Sequence, residues 1–227
     1  MIRNRLILFL LILSALSCSQ NNNNEPRNTV LLDAGWLFHQ GEVSDGEKQQ
    51  QSMDGWEQVT VPHDWAISGE FDEMIDAQKT IVIEDEERVP KLRTGRTGGL
   101  PHIGIGWYQR KLDIPQIWKD KRIYLEFDGA MSHAKLYMNE QYVGEWPYGY
   151  ASFGFDITDF IQPGGENLLA VRLENKPFSS RWYPGAGIYR NVRMVATNPV
   201  HVKRWGTYIT TPDIGQEKEL STCKRLF

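Results

Sequence analysis

Arg181, Trp182 and Tyr183 set a guanidinium beside two large rings, inside the run SSRWYPGAGIYRNV at residues 179–192. A pyranose has an apolar face and a rim of hydroxyls. An aromatic platform next to a polar donor is therefore the equipment for touching a sugar. Pro184, Gly185, Ala186 and Gly187 follow, a composition that lets the backbone turn tightly. Residues 188–195 read as a strand that anchors the loop on one side, with residues 168–174 as the strand on the other. A rigid sheet presenting such a loop is a common way to build a binding surface. The same residues also suit a packed structural corner, and residue types alone leave both readings open.

Other stretches invite chemistry less well. His63 and Asp64 are adjacent, but catalytic partners meet in space rather than in sequence, and no nucleophile is identified, so the pair reads as a turn. Glu84, Asp85, Glu86 and Glu87 run together, answered by Arg88, Lys91, Arg93 and Arg96. Paired carboxylates can cleave glycosides, yet four consecutive acids in a loop read as a solvated face. The two cysteines, Cys18 and Cys223, supply neither a disulfide framework nor a metal cluster, so no metal site is expected. Neither GxxxxGK[ST] nor GxGxxG occurs, which argues against phosphate cradling, and no cofactor is expected. A net charge of −4 gives no footprint for nucleic acid.

The elements that must position the loop are strands. At 227 residues, 41% hydrophobic and 24% charged, the chain can bury a sizeable core. Residues 122–127 alternate, with Ile123, Leu125 and Phe127 inward and Arg122, Tyr124 and Glu126 outward. Ala134, Leu136 and Met138 repeat the pattern, and Asn139 to Gln141 turn the chain into Tyr142 and Val143. Leu169, Val171 and Leu173 face the core from a later strand. Shorter apolar runs lie at residues 30–32, 36–38, 56–61 and 107–114, the third stopped by Pro62. Residues 74–102 read as an insertion with a hairpin around residues 80–83. Residues 156–161 read as about one helical turn, with Asp156 available as a cap. Short strands at this spacing, with no long amphipathic helix, call for an all-β sandwich.

Residues 1–18 stand outside that fold. Arg3 and Arg5 precede an apolar run at residues 6–13, too short to span a bilayer comfortably. Ala15, Leu16, Ser17 and Cys18 then resemble a bacterial lipoprotein signal, in which the cysteine carries lipid and becomes the new N-terminus. An ordinary cleaved secretory signal is the alternative. The polar tether SQNNNN at residues 19–24 favours the lipoprotein, exported and anchored to the cell envelope through Cys18 alone.

Six segments in order then point to a family: WYQRKL, FDGAMSHAKLYMN, YVG, ASFGFDIT, NLLAVRLEN and RWYPGAGIYRNV. Together they resemble the N-terminal sugar-binding domain of glycoside hydrolase family 2, the β-galactosidase, β-glucuronidase and β-mannosidase group, over about residues 30–202. The resemblance implies a jelly-roll, galactose-binding-like β-sandwich, assigned here to residues 29–201 after a polar linker at 19–28. It also implies an immunoglobulin-like domain next, then a (β/α)8 barrel. Residues 202–212 resemble the start of that second domain, but the tail LSTCKRLF departs from the expected strand. The expectation is thus a chain truncated within residues 202–227, its strand edges unpaired and poorly ordered.

In the family, both catalytic glutamates come from the barrel, and no residue here matches either, so the resemblance implies no catalytic residue in this chain. The loop before GIYR reaches the barrel's sugar site in the family, which makes Arg181, Trp182 and Tyr183 the expected substrate contacts. Some galactosidases carry an acid in this loop, and Arg181 stands near that point here. Three functions compete. The chain is the non-catalytic front of a β-galactosidase-like enzyme from a broken or split gene, a free-standing carbohydrate-binding lipoprotein, or an inert fragment. A barrel encoded downstream in another frame would select the first; glycan binding without any partner would select the second.

Overall fold

The computed structural model describes residues 25–50, 52–75, 77–94, 98–177, 185–215 and 218–225. Arg181, Trp182, Tyr183 and Cys18 lie outside them. In chain order the strands are β1 (Arg27–Leu31), β2 (Trp36–Gln40), β3 (Trp56–Val59), β4 (Ala77–Glu84), β5 (Glu87–Thr94), β6 (Gly104–Asp113) and β7 (Arg122–Phe127). They continue with β8 (Ala134–Met138), β9 (Gln141–Trp146), β10 (Phe153–Asp156), β11 (Glu166–Asn175), β12 (Val192–Thr197), β13 (Thr207–Gly215) and β14 (Lys218–Arg225). Among the described residues the only helical pieces are short 3-10 turns.

Two antiparallel sheets form the sandwich. One runs β1-β12-β7-β10 and the other β3-β2-β6-β11-β8-β9. Register aligns the inward residues into rows. Phe38, Tyr108, Val171 and Leu136 face one another across the larger sheet, and Phe127 pairs with both Val192 and Phe153 across the smaller. All seven of these residues are buried, with Tyr108, Phe127, Val171 and Val192 fully so. Each fully buried Leu, Ile, Val or Phe contributes about 1.5–3 kcal/mol relative to exposure. The alternation expected for residues 122–127 and 134–138 is the alternation observed, and Leu169, Val171 and Leu173 are buried as expected, with Ala170 buried on the opposite face as well. It works because strand side chains alternate faces while the sandwich buries one face of each sheet.

Turn chemistry closes the hairpins. Asn139 and Glu140 both take left-handed φ, 50° and 67°, as a two-residue turn between twisted strands requires. Asn139 also tethers the turn, accepting from the Leu168 amide and donating to the Phe160 carbonyl. The acidic run is a second such turn: Asp85 and Glu86 sit at φ 48° and 69° between β4 and β5, so a hairpin exists, but it turns at these acids and not around residues 80–83, which lie within β4, and its acids are exposed. The expected helical turn is a 3-10 turn over Thr158–Phe160, with the Asp156 carboxylate accepting from the Thr158 amide.

Two expectations need correction. The strand expected over residues 188–195 begins only at Val192. Gly187 instead bridges to Met131, and the chain bends at Arg190 before it can join β7. At the C-terminal end the tail does form strand: β13 and β14 pair antiparallel, with a register shift between Thr210 and Asp213. Their inner edges satisfy each other, and neither has another strand partner among the described residues.

Candidate functional site

Both stems of the 178–184 segment are held at one end of the sandwich. On the leading side, Asn175 ends β11 and is buried. Its amide nitrogen donates to the His102 and Gly185 carbonyls, each at 2.9 Å, so one side chain ties the leading stem to the trailing one. Its amide oxygen lies 3.0 Å from the Ser132 hydroxyl, which is also 2.9 Å from the Glu174 carbonyl.

On the trailing side, residues 185–188 thread between residues 63–65 and Met131. The His63 amide donates to the Ile188 carbonyl and the Trp65 amide to the Ala186 carbonyl, both at 2.8 Å. Gly187 and Met131 exchange backbone bonds at 2.9 and 3.2 Å. Asp64 completes the clamp, its Oδ1 accepting from the Ala186 and Ala66 amides at 2.9 Å each. The second of these bonds caps the 3-10 turn Trp65–Ser68. A carboxylate accepting backbone N–H groups makes stronger bonds than a neutral acceptor does.

Space at this crossing is tight. Gly187 has φ +135°, and a methyl group there would lie 2.3 Å from the His63 carbonyl oxygen and 2.6 Å from the Tyr108 hydroxyl. His63 Nδ1 lies 2.7 Å from that same hydroxyl, and the His63 ring packs 4.7 Å from Phe38. Burial pushes the His63 imidazole below its usual range and the Tyr108 phenol well above its own, so the pair is a neutral hydrogen bond. His63 and Asp64 therefore turn to different partners, Tyr108 and the backbone, which is the structural turn that their adjacency suggested rather than a dyad.

The structure thus brings together Asp64, His63, Tyr108, His102, Ser132 and Asn175 around the two stems of the 178–184 segment. Of these, sequence reasoning singled out only His63 and Asp64, and only as a turn. Asn175 lies inside the segment NLLAVRLEN and directly precedes Lys176 and Pro177. What the arrangement does chemically is hold a loop base in one geometry.

Sandwich and clamped stems define a β-sheet module with both stems of residues 178–184 fixed at one end. The chain belongs to the family described as glycosyl hydrolases family 2, sugar binding domain, whose model matches residues 31–199. It is 33% identical over 203 residues to beta-galactosidase BoGH2A of Bacteroides ovatus, covering 89% of this chain and 22% of that protein. It is 26% identical over 211 residues to a beta-glucuronidase of Bacteroides fragilis, covering 88% and 26%. Among solved structures, a family 2 member from Bacteroides cellulosilyticus matches with TM-score 0.62 and 37% identity, over 81% of this chain and 23% of that one. The chain spans about a fifth of the length of the curated relatives it matches.

Proposed function

We propose that the chain is the substrate-side sandwich of a family 2 glycosidase acting on a β-galactoside-like glycan. Arg181, Trp182 and Tyr183 contact the sugar, and an immunoglobulin-like domain and a barrel supply the chemistry. The observation that carries this reading is the double clamp by Asn175 and Asp64: Asn175, on the leading stem, bonds Gly185 on the trailing stem, and Asp64 holds Ala186 beside it. Support also comes from the similarity to a beta-galactosidase at 33% identity. In this reading the sandwich binds and orients, and the two carboxyls of a retaining glycosidase, about 5–5.5 Å apart across the scissile bond, belong to the barrel. Paired with a family 2 barrel, the Arg181→Ala and Trp182→Ala variants lose turnover of aryl β-galactosides while keeping their melting temperature. Unchanged turnover in both would overturn the reading.

Export and lipid anchoring through Cys18 belong to the same proposal, supported by the basic start, short apolar run and polar tether of residues 1–24. Expressed in a bacterium with labelled palmitate, the chain incorporates label and partitions into the detergent phase, and Cys18→Ala does neither. Equal labelling of the variant contradicts the anchor.

A further inference from the structure

A cavity of about 530 Å³ opens against the smaller sheet, lined from β1, β7 and β10, from Trp146 at the end of β9 and from the segment at residues 201–205. That volume lies inside the ~300–1,000 Å³ range of small-molecule sites. The cavity shares no residue with the loop base described above. Its upper wall is the turn at residues 201–205, which lies beyond the residues 31–199 that the family model matches.

Contacts among the cavity's own residues hold the lining in place. Gly154 gives a floor without a side chain, and a methyl group there would meet Arg204 Nη1 at 2.5 Å. Arg204 lies against that floor, paired to Glu126 at 3.5 Å, with its guanidinium 4.2 Å from the Trp205 ring centroid. Opposite, the Tyr124 hydroxyl lies 3.2 Å from His201 Nε2. Trp205 is 73% exposed and holds a left-handed φ of 55°, closed by a bond from the Gly206 amide to the Lys203 carbonyl. A bulky residue pays for that backbone conformation, and the turn uses it to stand a large ring over the cavity instead of burying it.

Charge sets the ligand. The two cavity carboxylates are already matched, Glu126 to Arg204 and Asp156 to Arg122. Lys203 and Arg27 have no carboxylate partner among the described residues, and Arg27 spends one N–H on the Val202 carbonyl. An aromatic platform, hydroxyl-competent groups and two surplus cations suit a pyranose that carries an anion. We propose that this cavity is a second saccharide site, specific for a uronate-bearing glycan, with Trp205 as the platform and Lys203 and Arg27 facing the carboxylate. It is separate from the loop site proposed above and does not depend on it.

The test is calorimetric titration of the full chain with digalacturonic acid and, as the neutral control, cellobiose. The expected result is binding of digalacturonate, with cellobiose weaker by about tenfold or more for want of a charge partner. Trp205→Ala and Lys203→Glu each weaken digalacturonate by about tenfold, through the lost platform and the reversed charge, while Trp182→Ala leaves it unchanged. Both variants alter exposed side chains, and a melt of each confirms the fold. No binding by the parent chain overturns the proposal, as do unchanged binding in Trp205→Ala and equal affinity for the neutral disaccharide. Binding lost in Trp182→Ala and kept in Trp205→Ala also overturns it, and would place the sugar at the loop, leaving the first proposal standing.

Discussion

Gly187→Ala unfolds this domain more readily than truncating many core residues would. The added methyl would stand 2.3 Å from the His63 carbonyl oxygen, a backbone atom that cannot rotate away, and 2.6 Å from the Tyr108 hydroxyl. Tyr108 is fully buried in the middle of the larger sheet, so its ring cannot yield without disturbing Phe38 and Trp36. The backbone adds its own penalty, because φ +135° is open to glycine and costly for any residue with a Cβ. Overpacking and dihedral strain together cost about 3–5 kcal/mol. For a domain of this size that lowers the melting temperature by roughly 10 °C. A thermal melt monitored by near-ultraviolet circular dichroism measures it. A shift within a degree or two of the parent would mean that residues 185–188 do not thread between His63 and Met131 as described.

Asp64→Ala has the second largest effect, for a different reason. It removes the acceptor for both the Ala186 and Ala66 amides and leaves no replacement in a part-buried setting. Bonds to a charged acceptor and the stranded donors together are worth about 2–4 kcal/mol. Asp64→Asn keeps one acceptor oxygen and recovers about half of that loss. Two readouts separate the clamp from a simple cap. Loss of the cap alone lowers the melting temperature; loss of the clamp also speeds limited tryptic cleavage around residues 181–190 in the folded protein. Faster cleavage in Asp64→Ala, partly reversed in Asp64→Asn, is the expected result. Equal cleavage rates in all three proteins would leave Asp64 as a cap and nothing more.

What could be read from the residues, and what could not, divides by the range of the interaction. The inward faces of β7, β8 and β11 were legible because a period of two depends on adjacent residues and a single buried side. The hairpin of β4 and β5 was legible as a charged insertion, although Asp85 and Glu86 are not the Asn-Gly pair that advertises such a turn. The start of β12 was not legible, because it is set by the bridge of Gly187 to Met131, far apart in the chain. Asp64 read correctly as a turn residue, but its reach to Ala186 is a contact across the fold that no local pattern encodes. Asn175 was missed for the same reason: its bonds to His102 and Gly185 exist only once three segments meet. The cavity under Trp205 is likewise assembled from β7, β10 and the turn at residues 201–205, and Trp205 alone in sequence is one of eight tryptophans.

Sugar contact by Arg181, Trp182 and Tyr183, as opposed to core packing, is open to direct test. The direct measurement is titration of the chain with a methyl β-galactoside, followed by chemical shifts of the tryptophan indole N–H groups, beside thermal melts of Trp182→Ala. Half a site binds weakly, so the expected dissociation constant is millimolar, on the order of 4 kcal/mol. The Trp182 signal moves on titration, and Trp182→Ala abolishes the binding while melting within a degree or two of the parent. The contradicting result is a Trp182→Ala protein that loses roughly 3–5 kcal/mol of stability, as truncating a buried tryptophan would, and binds the galactoside no differently in its folded fraction.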